Sequence, residues 1–207
     1  RILAWARVEA TEKELRILLA ILLLGFLIKA GGLLYPYSIA WDLRLQLQWS
    51  SWIWDGRLAD LYGTQSPLQE RTMPPEWQQR PLIPYSPYYH ITAASFFLLP
   101  WRPYDTANVL NVLLDVTKPL LLYLIARRLG LKGRAGVGAA LLYALFPATF
   151  LLLAWGNAPT MAGLWWAIAA IAYFAGSWDR LREPRTWLGL VFFTLGALLF
   201  YTVYAVM

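Results

Sequence analysis

The chain has no cysteine among its 207 residues, which excludes disulfides and thiolate metal sites. Charge is also sparse: 14% of residues are charged and 59% are hydrophobic, a balance that excludes an ordinary soluble domain. It shows no internal repeat, which counts against a transporter built from paired repeats. What it has instead is apolar runs near bilayer length. A hydrocarbon core about 30 Å thick takes roughly 20 apolar residues per helix. Five runs qualify: Leu15–Leu34, Ala107–Ala126, Ala135–Trp155, Met161–Trp178 and Trp187–Met207. No water inside a bilayer is free to satisfy backbone groups, so each run is predicted to be a helix. Both ends look cut, because the chain opens on Arg1 and stops at Met207 inside an apolar run. The expectation is one transmembrane domain over 1–207, the N-terminal part of a longer protein.

The chain contains twelve tryptophans and twelve tyrosines. Those at run ends (Tyr35, Tyr37, Trp155, Trp178, Trp187) suit interfacial belts, where an amphipathic ring meets headgroups. The net charge of +6 is explained by topology, with no nucleic-acid partner required. If the 14-residue segment Tyr88–Trp101 does not span, 11 Lys/Arg in short segments share one side and five share the other. If it spans, the excess moves to the wrong side. Cytoplasmic loops carry the excess, so the tally predicts five spans and a cytoplasmic N-terminus over 1–14. Residues 35–106 then form an external loop of a cell-membrane protein.

That loop carries six of the twelve acidic residues and the only histidine, His90. Its middle, Gly63–Pro87, is proline-rich and predicted to be irregular. Over Trp41–Leu61 the apolar residues alternate like a strand, yet Leu45, Trp49, Trp52 and Ile53 also share one helical face. Beside a membrane, an interfacial helix with its tryptophans toward lipid is the favoured outcome, ended by Gly56.

Asp42 follows the first span by a few residues, and Gly56 comes 14 positions later. The proline-rich stretch, Ser86-Pro87-Tyr88-Tyr89-His90, and a span opening Ala107-Asn108-Val109-Leu110-Asn111 come next. That span closes with Ala126-Arg127-Arg128-Leu129-Gly130. This order resembles the N-terminal module of the GT-C superfamily of membrane glycosyltransferases. Its members include oligosaccharyltransferase catalytic subunits, protein O-mannosyltransferases and lipid A aminoarabinose transferases. The likeness covers roughly Leu15 to Met207, and its weight lies in the ordered combination, not in any one motif.

The resemblance implies an all-α integral membrane fold with interfacial helices in the first loop. It also implies transfer of a sugar from a polyprenyl-phosphate donor at the external face. Asp42 matches the position of the family's catalytic aspartate, which acts directly or through a divalent metal such as Mg or Mn. Arg44, Arg80 and Arg102 are candidates for the lipid phosphate by charge alone. His90 and Asn157 are further substrate-binding candidates. Two positions depart from the family: Leu43 stands where some relatives have a second acid, and Asn157 where many have an aspartate. Asparagine hydrogen-bonds but cannot act as a base. These departures motivate a rival reading, a non-catalytic subunit that packs on other membrane proteins.

Other readings compete at single positions. Asp42 suits a solvated helix cap, and His90 suits an interfacial side chain bonded to a neighbour. Asp55, Asp60, Glu70 and Glu76 read as solvated loop charges. Asp115 and Lys118 form an i,i+3 pair that neutralises itself within the second span. Lys29 is expected either to snorkel outward or to meet a lipid phosphate. Pro147 is expected to kink the third span, and Gly136 and Gly138 to permit close helix packing.

Overall fold

The computed structural model describes residues 8–34, 40–62 and 86–201. Arg80, the stretch 63–85, Tyr35, Tyr37, Arg1 and Arg7 lie outside them. Every regular element among the described residues is a helix. In chain order these are α1 (Glu12–Leu34), α2 (Trp41–Trp54), α3 (Leu58–Tyr62) and α4 (Pro87–Ala94). Then come α5 (Pro103–Arg128), α6 (Gly133–Leu145), α7 (Pro147–Trp155), α8 (Ala158–Ser177) and α9 (Pro184–Phe200).

Among the described residues, four helical stretches are long and apolar enough to cross a membrane: Glu12–Gly32, Pro103–Arg128, Gly133–Trp155 and Ala158–Arg180. The third consists of α6 and α7 together. Pro147 has no N–H to continue the helix, and Phe146 is extended there, with φ −67 and ψ 121. The segment Pro87–Leu98 consists of two short helical pieces, eight-residue α4 and a 3₁₀ turn over Ser95–Leu98.

Local chemistry sets the helix starts. Thr11 and Glu14 form a capping box: Glu14 accepts from the Thr11 N–H at 2.9 Å, and Thr11 accepts from the Glu14 N–H at 3.2 Å. Proline at the first turn starts α4, α5, α7, α8 and α9. α2 is a helix and not a strand. It ends before Gly56, whose φ of +80 suits a residue without Cβ.

α2 buries Leu43, Gln46, Leu47 and Ser50, a stripe at i, i+3, i+4 and i+7. Of the face Leu45, Trp49, Trp52 and Ile53, only Leu45 is exposed; Trp49 is partly buried against the His90 ring, Trp52 and Ile53 are partly buried, and Trp54 at the helix end is half exposed. α2 packs on α4 through Leu43, Leu47, Tyr89, Ala93 and Phe96, joined by Ala107 of α5 and Ala158 and Ala162 of α8. α5 is the hub, lying against α1, α6 and α8. Close approach of α5 and α6 needs Gly136, where a Cβ would stand 2.9 Å from Tyr123 Cδ2. Gly138 faces open space, so the packing role expected of it falls to Gly136 alone.

Candidate functional site

Asp42 occupies the first turn of α2, exposed, where the helix dipole favours an anion. Its location is fixed from below. α7 ends on Gly156 at φ +74, whose N–H bonds the Leu152 carbonyl at 3.1 Å, while the Asn157 N–H reaches the same carbonyl at 3.2 Å. The corner presses directly on α2. A Cβ on Gly156 would meet Leu43 Cβ at 2.6 Å and both Ala40 Cβ and Leu43 N at 2.8 Å. Ala40 and Leu43 bracket Asp42, so the α7–α8 corner and the turn bearing Asp42 form one unit.

Asn157 lies within that corner and caps α8, its Oδ1 accepting from the Thr160 N–H at 3.4 Å. Leu43 is fully buried beneath the corner. Arg44 is exposed, with its guanidinium 5.9 Å from the centre of the Tyr104 ring. The Tyr104 hydroxyl accepts from the Ala40 N–H at 3.2 Å, tying the start of α5 to the start of α2. Arg102 is exposed and paired with Asp105 at 2.7 Å. Asp105 also borders a largely apolar groove of about 410 Å³ at the start of α5, lined with it by Trp101, Thr106, Val109, Leu110 and Leu113.

His90 is fully buried between α2 and α4. Its Nε2 bonds Gln46 Oε1, and the Trp49 and Tyr89 rings stand edge-on, each 5.6 Å away. Burial disfavours the charged imidazolium, so its pKa is pushed down to about 4. Burial likewise pushes the Tyr89 phenol up. The structure brings Asp42, Arg44 and Asn157 to one locality and encloses His90 within the α2–α4 contact. Among the described residues, no three His, Asp or Glu side chains converge where a metal ion could sit.

A second polar site was not foreseen as a unit. Lys29 neither snorkels nor meets solvent; it is buried and ion-paired with Asp115 Oδ2. Its Nζ also donates to Thr149 Oγ1 at 3.0 Å. Lys118 reaches Asp115 Oδ1 at 3.3 Å, so the helical pair exists, but Asp115 is shared between two lysines. The Tyr143 hydroxyl donates to the same Oδ1 at 3.1 Å. The pair expected within α5 is present, and the second carboxylate oxygen adds Lys29 of α1 to it. The available signal was three intramembrane charges in two spans, which are functional or paired by default.

Comparison with family models, with curated proteins and with solved structures finds no match. Fold and geometry define the class: a helical chain with, among the described residues, four helices long and apolar enough to cross a membrane, carrying a polar corner at the α7–α8 junction and a buried charge cluster.

Proposed function

We propose that this chain is the membrane module of a GT-C-type glycosyltransferase, with Asp42 as its base. In this reading the protein has five spans in the cell membrane, with α9 as the fifth. The N-terminus is cytoplasmic and residues 35–106 are external. One observation carries the reading: Gly156 seats the Asn157 corner against the residues on either side of Asp42. These are two of the places where the resemblance expects catalytic groups, distant in sequence and adjacent in space.

The acceptor's nucleophilic atom attacks the sugar's anomeric carbon while Asp42 takes its proton. The bond from that carbon to the phosphate oxygen breaks, and polyprenyl phosphate leaves with the electron pair. Arg44 and Arg102 supply positive charge toward the departing phosphate, and the groove along α5 suits an apolar tail.

A second reading, a non-catalytic subunit with the same scaffold, is favoured by Leu43 and Asn157. One is buried as packing and the other is engaged as a cap. The discriminating experiment measures transfer from radiolabelled polyprenyl-phosphate sugars in membranes containing the full-length protein. Transfer by the parent that is lost in Asp42→Asn, at equal abundance, supports the enzyme. No transfer from a broad donor panel supports the subunit.

A further inference from the structure

The third span is broken between α6 and α7, so its angle is not set by a continuous backbone ladder. Two contacts of the buried cluster straddle that break. On the α6 side, the Tyr143 hydroxyl bonds Asp115 Oδ1 at 3.1 Å. On the α7 side, Lys29, itself paired with Asp115 Oδ2, bonds Thr149 Oγ1 at 3.0 Å. Thr149 Oγ1 in turn donates to the carbonyl of Phe146, the break residue, at 2.9 Å. The Lys29 ammonium also lies 4.8 Å from the Phe150 ring centre and 6.0 Å from that of Tyr143, one ring from each half. Asp115 therefore holds α6 directly and α7 through Lys29. Lys118 stands apart, with Asp115 on its own helix and Met161 Sδ of α8 at 4.0 Å as its contacts.

The far end of α7 is the corner seated against Ala40 and Leu43. α7 has nine residues, about 13 Å at 1.5 Å per residue. A tilt of roughly 10° at the break displaces its far end by about 2 Å over that length. That is enough to unseat a contact in which a Cβ at Gly156 would stand only 2.6 Å from Leu43 Cβ. We propose that the Lys29–Asp115 pair is a clamp that sets the angle of α7 across the Pro147 break and thereby holds the Gly156–Asn157 corner against the turn bearing Asp42. Lys29, Thr149 and Tyr143 are positioning residues for the outer site, which none of them touches. An intramembrane ion pair on one face of the break controls the geometry of a site at the other end of the half-helix.

The chain has no cysteine, so spin labels can be placed through single substitutions. Leu45→Cys on α2 and Trp155→Cys at the end of α7 are both at exposed positions. Their dipolar distance distribution is measured in the full-length protein in lipid nanodiscs. The parent is expected to give one narrow distribution. Lys29→Met and Thr149→Val are each expected to broaden it to at least twice the parent width, and Lys118→Met to leave it unchanged. Thr149→Val keeps the ion pair, so it reports even if Lys29→Met does not assemble. A parent-like distribution in Thr149→Val overturns the clamp. Equal broadening in Lys118→Met overturns it as well, by reducing the effect to general loss of buried charge. The distance readout needs no transfer activity, so failure of the transferase reading leaves this result standing.

Discussion

Replacing Gly156 by alanine isolates the energy of the α7–α8 corner, because the chain supplies its own controls. Gly56, Gly130 and Gly156 have nearly the same backbone conformation, with φ of +80, +80 and +74. Alanine at any of them loses about 1–2 kcal/mol from the left-handed conformation alone. At Gly56 and Gly130 the new Cβ meets nothing within 4 Å. At Gly156 it meets Leu43 Cβ at 2.6 Å and Leu43 N at 2.8 Å, and that backbone atom cannot rotate away. Overpacking of this kind adds about 1–3 kcal/mol. Gly156→Ala is therefore expected to destabilise by about 2–5 kcal/mol, against about 1–2 for the other two. The assay is denaturant unfolding in mixed micelles, followed by tryptophan fluorescence, with all three variants compared with the parent. Equal losses in the three would refute the close seating of the corner on α2, and with it the main support for a composite site at Asp42.

Other outcomes follow from the buried groups. Asp115→Asn leaves two lysines buried without a counter-ion and is expected to lose about 3–5 kcal/mol in the same assay, whereas a loss below about 1 kcal/mol would contradict the shared pairing. His90 has its pKa pushed down to about 4, below the usual value of 6.5, so the unfolded state binds its proton first. Stability is then full above about pH 6.5 and falls as the pH drops toward 4, by up to about 3 kcal/mol. Thermal midpoints across that range should show this slope, and His90→Gln should flatten it. Gly136→Leu is expected to separate α5 from α6 at a cost of about 1–3 kcal/mol, while Gly138→Leu is tolerated; thermal melts of the two decide it.

Much of the helical frame was legible because bilayer-length apolar runs leave a backbone few alternatives. Leu15–Leu34 grew to α1 only through the Thr11–Glu14 box, and Ala107–Ala126 grew to α5 because Pro103 starts the helix a turn earlier. Both extensions had sequence signals of their own. Pro147 was a reliable mark because its missing N–H coincides with an extended Phe146 before it, whereas Pro119 is carried inside α5 without ending the helix. The helical spacing of Leu45, Trp49, Trp52 and Ile53 was visible, but the buried polar pair of Gln46 and His90, against which Trp49 packs, was not. Each looks solvent-loving alone, and burial becomes tolerable only once they meet. Lys29 and Asp115 were hidden for the same reason. They are 86 residues apart, and nothing local in either span names the other as partner.

The same separation has a consequence for how the protein is made. Lys29 enters the membrane with the first span, and an unpaired lysine within a lone helix is costly in lipid. Its counter-ion is not synthesised until 86 residues later, and Thr149 and Phe150 come later still. Until α5 arrives, α1 carries a charge without its partner. Stable burial of the first span is thus tied to the arrival of the second.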